Sequence, residues 1–443
     1  MLEIQAFRNS VRSKLIIWCV CVGILVNVLA GLISFNLQKG KIRGNAQQSQ
    51  NYDLYDQFDE SIDHYLKSKQ NKDLLPVYQL AQAIYTKNKD KYAIDLYSFY
   101  KSNGKSNLTI FLDLRNRRQD LDTNLAKLDE TTRLAKLDEI VSDFRKLNAF
   151  IEIERTEIIK AKHFAFAGNL IELKVLVEKA ITKAEESQHI FTKCYYLLWL
   201  YKSDYSSRQV VANYKILINL AENIGLVKVA SSASMSLAGI MEIKGEIQEA
   251  ENLCSRLLQS QSKITPSIKR STNQILAIVK IRQGKNLEAL QMIDNTIFEA
   301  RESQDFYNVA LALYLKSRIL SDQNLFDQAK ECINQANTEI KQSPKSLQTS
   351  QLETLLLAKL AEINLEQRNI SQANIFYLQA LELCEKTKPI NYYILSWLYL
   401  GLANSASNAQ TAANYRQQAA SYLAIARSIN DQPYSPIFKF SGE

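Results

Sequence analysis

Three histidines, His64, His163 and His189, are the natural place to look for chemistry in this chain of 443 residues. An imidazole becomes a metal ligand or a general base only beside a partner, and HxxxH or HExxH spacing on a helix supplies one. None of the three has such a neighbour, so each is read as a surface or packing residue. The cysteines likewise show no CxxC spacing; Cys254, Cys332 and Cys384 fall where small apolar side chains belong. The glycine-rich patterns GxGxxG, GxxxxGK[ST] and GxSxG, which cradle phosphates or carry a nucleophilic serine, do not occur. Asn107-Leu108-Thr109 and Asn369-Ile370-Ser371 match the glycosylation pattern, which is short enough to arise by chance. The sequence therefore names no catalytic residue, no cofactor-binding residue and no metal site, and it is read as non-enzymatic.

Composition says what kind of scaffold lies behind this absence. Only 12 glycines and 6 prolines occur, while 46% of residues are hydrophobic and 23% charged. Strand-rich folds need a turn every 8–12 residues or so, usually built with Gly, Pro, Asn or Asp. Their shortage argues for long helices joined by short turns and against a sandwich, barrel or propeller. The net charge of +8 is concentrated at one end. Arg8, Arg12, Lys14, Lys39, Lys41 and Arg43 face Glu3 alone, and the remainder is nearly balanced. That leaves no broad basic footprint for nucleic acid.

Those basic residues flank a segment without charge from Leu15 to Gln38. At about 1.5 Å per residue it exceeds the roughly 30 Å hydrocarbon core of a bilayer. Trp18 and Phe35 stand near its ends, where interfacial aromatics belong. A cleaved signal peptide is the rival reading, but the apolar stretch is long for one and no small-x-small cleavage site follows it cleanly. Residues 15–38 are therefore expected to form a transmembrane helix after a basic tail at 1–14. Gly23, Asn27 and Gly31 share one face of it, a spacing that permits close approach of two helices and a homodimer. A short basic tail ahead of a single span usually stays in the cytoplasm, which would place residues 44–443 outside. The scattered cysteines, showing no compact disulfide pattern, point the other way. The expected location is a single-pass protein of a bacterial inner membrane with the large domain outside the cytoplasm.

After the span comes a helical region over 39–154, in which Tyr55, Phe58, Ile62 and Tyr65 mark one face of an amphipathic helix. Leu137, Ile140, Phe144, Leu147 and Ile151 follow at a spacing that could pack in a coiled coil, though burial against the first repeats is the favoured reading. Beyond it a pattern recurs over 155–430. Leu237-Ala238, Gly245, Ala250, Cys254 and Leu258 match Leu276-Ala277, Gly284, Ala289, Ile293 and Ile297 at equal spacing. Leu360-Ala361, Ala373, Tyr377 and Ala380 repeat it, as do Trp397, Leu400, Gly401, Ala413 and Ala420. The site in the second helix of each unit is read as Leu173, Ala212, Ala250, Ala289, Ala329, Ala373 and Ala413. Leu80-Ala81, Ala93, Tyr97 and Tyr100 form an earlier copy, with a degenerate unit near Arg133 between. Pro266, Pro344 and Pro389 fall between units, where a helix must stop.

Tryptophan or leucine, then Leu-Gly or Leu-Ala, then Gly, then Ala, then Ala-Leu resembles the tetratricopeptide repeat. The period departs from the family's, about 39 residues against about 34. The resemblance implies an all-α solenoid of helical pairs, a superhelix preceded by the transmembrane helix and followed by a tail at 431–443. It also implies a concave face lined by first helices, the usual seat of a peptide or partner helix. The repeat frame places Tyr201, Asp204, Gln274, Arg282, Tyr314, Arg318 and Glu362 toward that face, and Tyr and Arg often anchor interfaces. The family's clamp for C-terminal carboxylates is not expected, since its Lys and Asn sites hold Leu197 and Tyr201, then Met235 and Gly239. The implied function is a membrane-anchored scaffold or adaptor for a protein or peptide partner. A peptide-responsive regulatory module is the alternative.

Overall fold

The computed structural model describes residues 54–103, 105–123, 129–203, 209–259, 264–387 and 390–429. Within them lie nineteen α-helices, one short 3-10 turn and no strand. Helix α1 spans Leu54–Ser68, α2 Leu74–Asn88, α3 Tyr92–Ser102, α4 Lys105–Thr123 and α5 Glu130–Lys146. Then follow α6 Phe150–Ala167, α7 Leu170–Glu186, α8 Ile190–Ser203, α9 Val210–Asn223, α10 Val227–Ile243 and α11 Ile247–Gln259. The remainder are α12 Pro266–Arg282, α13 Asn286–Glu302, α14 Phe306–Asp322, α15 Phe326–Ile340, α16 Leu347–Glu366, α17 Ile370–Lys386, α18 Tyr392–Asn404 and α19 Ala409–Ile429. No helix among the described residues is long and apolar enough to cross a membrane. The expected span at 15–38, with Gly23, Asn27 and Gly31, lies outside the described residues, as does the tail at 431–443.

From α2 onward the helices pack as nine antiparallel pairs, α2 with α3 through α18 with α19. Local signals set their ends. Thr265 caps α12, accepting from the Ile268 N–H, with Pro266 at the first helical position, where a missing N–H costs nothing. Ser346 and Thr349 form a capping box on α16, and Asp305 and Asn391 cap α14 and α18. Gly245 and Gly284 turn the chain within their pairs at φ of 80° and 75°, a left-handed conformation that a side chain disfavours.

Most second helices bury one stripe spaced i, i+4, i+7, i+11, which is one face of a 3.6-residue helix. On α13 the stripe is Ala289, Ile293, Thr296 and Ala300; on α17 it is Ala373, Tyr377, Ala380 and Cys384. Small residues at the first position let the paired helices approach closely. The stripe corrects the sequence register at two places. On α9 it runs through Val210, Tyr214, Leu217 and Ala221, leaving Ala212 exposed. On α19 it begins at Ala412, and Ala413 faces water. The unit near Arg133 carries the stripe too, as Arg133, Leu137, Ile140 and Phe144 on α5. Leu137 to Ile151 therefore packs within the array and not as a coiled coil; a turn at 147–149 interrupts its spacing.

From α6 onward, first helices are buried far more completely. On α14, every residue from Tyr307 to Leu315 is buried. Successive first helices from α6 to α18 touch one another, while successive second helices make no comparable contact among the described residues. First helices thus form the inner, tighter layer and second helices the outer one. The superhelix is narrow enough that α16 lies against α6 across its inside.

Candidate functional site

The inner face was expected to be an open groove, and its residues fall elsewhere. Gln274 is buried on α12 and donates to the Asn308 carbonyl at 3.2 Å. Asn308 in turn donates to Asp305, which also receives Arg270 at 2.9 Å, so a polar ladder ties α12 to α14. Arg282 pairs with the buried Glu242 of α10 at 2.6 Å. Tyr314 is 0% exposed and Arg318 4%. Glu362 is buried beside Lys359, 3.2 Å away. Tyr201 is half-buried, its ring edge-on to Tyr214 at 5.9 Å. Asp204 lies outside the described residues. Contacts between first helices and the approach of α16 to α6 close the inner surface, and these side chains fill it: Gln274, Arg282 and Glu362 are paired within the array, whereas the Arg318 Nη1 is buried without a hydrogen-bond partner. They are not free anchors for a partner.

What does rest on the inner helices is α1, which also packs along α2. Tyr55, Phe58, Ile62 and Tyr65 are all buried, as their spacing predicts. Beside this apolar stripe runs an acidic one. Asp56 accepts from Lys228 of α10 at 2.7 Å, Asp59 from Arg155 of α6 at 2.7 Å, and Asp63 from Arg115 of α4 at 2.6 Å. The Tyr55 ring stacks on Phe191 of α8 at 5.0 Å. One helix therefore reaches four first helices of successive pairs.

Beneath it lies a buried ionic cluster. Glu152 of α6 is fully buried and accepts from Arg115 at 2.7 Å, from Arg118 at 2.6 Å and from the Tyr100 hydroxyl. Burial acts to raise its carboxyl pKa, but the two guanidinium charges outweigh it and hold the group well below the usual carboxylate range. Asp90, in the turn between α2 and α3, accepts from the Tyr55 hydroxyl and the Ile190 and Phe191 N–H groups at the start of α8. Burial nevertheless raises its pKa.

A cleft of about 770 Å³ opens between α2–α3 and α6–α7, lined among others by Tyr85, Asp95, Phe150, Glu154, Lys183 and His189. His189 sets Nδ1 2.9 Å from Glu154 and Nε2 3.1 Å from Asp95. Only the imidazolium donates from both nitrogens, so the charged ring is the species that fits. Burial lowers its pKa, and the bonds and charges of Glu154 and Asp95 reverse this to a net rise. His163 is the opposite case: buried beside Lys162, it is lowered to about 3 and stays neutral. His64 is exposed, 3.7 Å from Asp73. The described residues hold no group of three His, Cys, Asp or Glu side chains arranged for a metal. Cys194, Cys254, Cys332 and Cys384 are free and buried, the Cys194 thiol pushed up to about 12 by burial.

Neither a protein-family model nor a curated protein matches the chain. Solved structures with similar folds include BtubC from P. vanneervenii, at 17% identity over 50% of this chain and 89% of that one, with a TM-score of 0.37. A second is a signal transduction ATPase with numerous domains, carrying a tetratricopeptide repeat sensor, from Pyrococcus horikoshii. It shows 13% identity over 88% of this chain and 56% of that one, with a TM-score of 0.47. Aspartyl phosphate phosphatase F from Bacillus subtilis gives 12%, 90%, 100% and 0.44. At these identities the likeness concerns helical architecture alone.

Proposed function

We propose that this chain is a membrane-anchored, tetratricopeptide-like scaffold that holds a protein partner, anchored through residues 15–38 and without catalytic activity of its own. The observation that carries the reading is the distribution of apolar surface. With the inner layer closed, large apolar side chains stand on the outward faces of second helices. Ile171 and Val175 project from α7, Ile216 from α9, Leu287 and Phe298 from α13, and Ile375 and Leu378 from α17. Ile171 and Leu287 are each 78% exposed. Scattered single apolar residues on a surface need no explanation, but recurrence along one layer of a solenoid presents a long contact surface. The reading is tested by purifying tagged full-length protein from membranes, as wild type and as the Ile171→Asp, Leu287→Asp variant. A scaffold loses its co-purifying partner in the variant while helicity and melting stay unchanged. An identical set of co-purifying proteins would refute the outer-face reading, and recovery of the wild type in the soluble fraction would refute the anchor.

The regulatory alternative gains support from one specific feature, the seating of α1 across the inner helices.

A further inference from the structure

We propose that α1 is a resident ligand of the inner layer, and that the same seat accepts an acidic amphipathic helix from a partner protein in exchange for it. This deepens the scaffold reading above by naming the partner's chemistry. Helix α1 stands outside the nine pairs, packed along α2, and toward the inner layer it makes the contacts a helical guest makes in a groove: an apolar stripe inserted, charges paired along its flank. Asp56, Asp59 and Asp63 stand at i, i+3 and i+7, on one face of the helix. Their partners Lys228, Arg155 and Arg115 come from three separate first helices, so the three cations form a register that any helix with the same acid spacing can read.

Two features mark this seat as one for exchange. The ion pairs are partly open to water: Asp56, Asp59 and Asp63 keep 32%, 30% and 44% of their side-chain surface. Their cation partners are the buried half, with Lys228, Arg155 and Arg115 keeping 24%, 16% and 7%, so the register stays in the array whichever helix supplies the acids. The seat is also incompletely used. Arg155 reaches Asp59 through one nitrogen alone, while its Nη1 and the Asp59 Oδ1 are buried without a hydrogen-bond partner. A guanidinium opposite a carboxylate can form two parallel bonds. A guest whose middle carboxylate engages both prongs gains what α1 leaves unmade. The partner that fits is a helix with acids at i, i+3 and i+7 and aromatic or aliphatic residues at i−1, i+2 and i+6, the positions of Tyr55, Phe58 and Ile62.

Hydrogen exchange on the full-length wild type is the first test. If α1 leaves its seat, amides of residues 54–68 exchange at least tenfold faster than those of α10, and faster still as salt is raised. Exchange of α1 at the rate of α10 would show a fixed core element and overturn the proposal. The second test adds a fluorescent peptide of the sequence Leu54–Ser68 to the full-length Asp56→Asn, Asp63→Asn variant, whose own α1 is held more weakly. The peptide is expected to bind at least tenfold tighter to this variant than to wild type. A peptide with asparagine at all three acid positions should lose at least tenfold. Equal binding of both peptides would overturn the charge register. Should the variant fail to fold, the wild-type exchange rates still decide. The outer-face variants leave α1 untouched, so the scaffold reading stands or falls separately.

Discussion

Replacing Glu152 by glutamine tests whether the buried ionic cluster holds α4 and α6 together beneath α1. The substitution keeps shape and one carbonyl acceptor but removes the charge, and its amide donors face guanidinium donors. Among the described residues Arg118, nearly buried, has no other carboxylate partner, retaining the residue-152 carbonyl at 3.2 Å and the Thr156 hydroxyl at 3.4 Å. Arg115 keeps Asp63 at 2.6 Å. Removing one partner of a buried pair costs about 3–5 kcal/mol, because a desolvated charge is left uncompensated. The retained Asp63 contact places Glu152→Gln near the lower end, about 3 kcal/mol. Denaturant melts followed by circular dichroism should show this loss. A second change, Arg118→Met, removes the stranded charge and should recover part of it. The pH dependence carries the same signature. Because the folded Glu152 pKa lies below the ordinary value of about 4.3, its contribution is present above that pH and is lost as pH falls toward the folded value. Acid sensitivity below about pH 4 should therefore be weaker in Glu152→Gln than in wild type. Equal melting at neutral pH, or no rescue by Arg118→Met, would refute the reasoning.

Gly401→Ala should destabilise α18–α19 although alanine is the better helix former by about 1 kcal/mol: its Cβ would lie 2.3 Å from the Tyr377 ring, and such overpacking costs about 1–3 kcal/mol or more, so a raised melting temperature would refute the packing. Ala289→Phe should cost roughly 1–3 kcal/mol or more at the α12–α13 contact, while Ala212→Phe on the exposed side of α9 should be nearly neutral; equal effects would refute the register. Tyr314→Ala should destabilise by about 3–5 kcal/mol, as an aromatic deletion from a filled interior does; a melt unchanged from wild type would show an open groove after all. His189 has a raised pKa, so its stabilisation is complete below about pH 6.5 and fades as pH rises through the folded value. Melts across that range should lose this dependence in His189→Gln, and an unchanged profile would refute the imidazolium bridge.

The repeat was legible in the sequence because its signal is periodic. Ala250, Ala289, Ala329 and Ala373 are all fully buried, at contacts that need small residues. At Val210 and Arg133 the same site holds a large side chain, and there matching by residue type misplaced the unit or found it degenerate. The apolar stripe of α1 was likewise visible as local spacing. Its acidic stripe was not, since the cations it meets lie 52, 96 and 172 residues away and no local pattern links them. The His189 bridge to Glu154 and Asp95, across 35 and 94 residues, was hidden for the same reason. Tyr314 and Arg318 were placed on the correct layer but in the wrong environment. A repeat frame tells which helix faces inward, whereas the radius of the superhelix decides whether that face meets water or another helix.

That radius also governs where recognition can occur. In a wide solenoid, polar residues on first helices stay solvated and remain available to a ligand. Here they are drawn together and buried, which favours pairing among them, as in the Arg270–Asp305–Asn308–Gln274 ladder. Side chains so committed act as inter-unit ties, and a ligand approaching them would have to displace satisfied hydrogen bonds. Recognition is therefore left to surfaces that the nearest-neighbour contacts of the array do not consume. One is the outer face of the second helices. The other is the stretch of inner layer around α4, α6, α8 and α10, where cations face α1, a helix that belongs to none of the nine pairs.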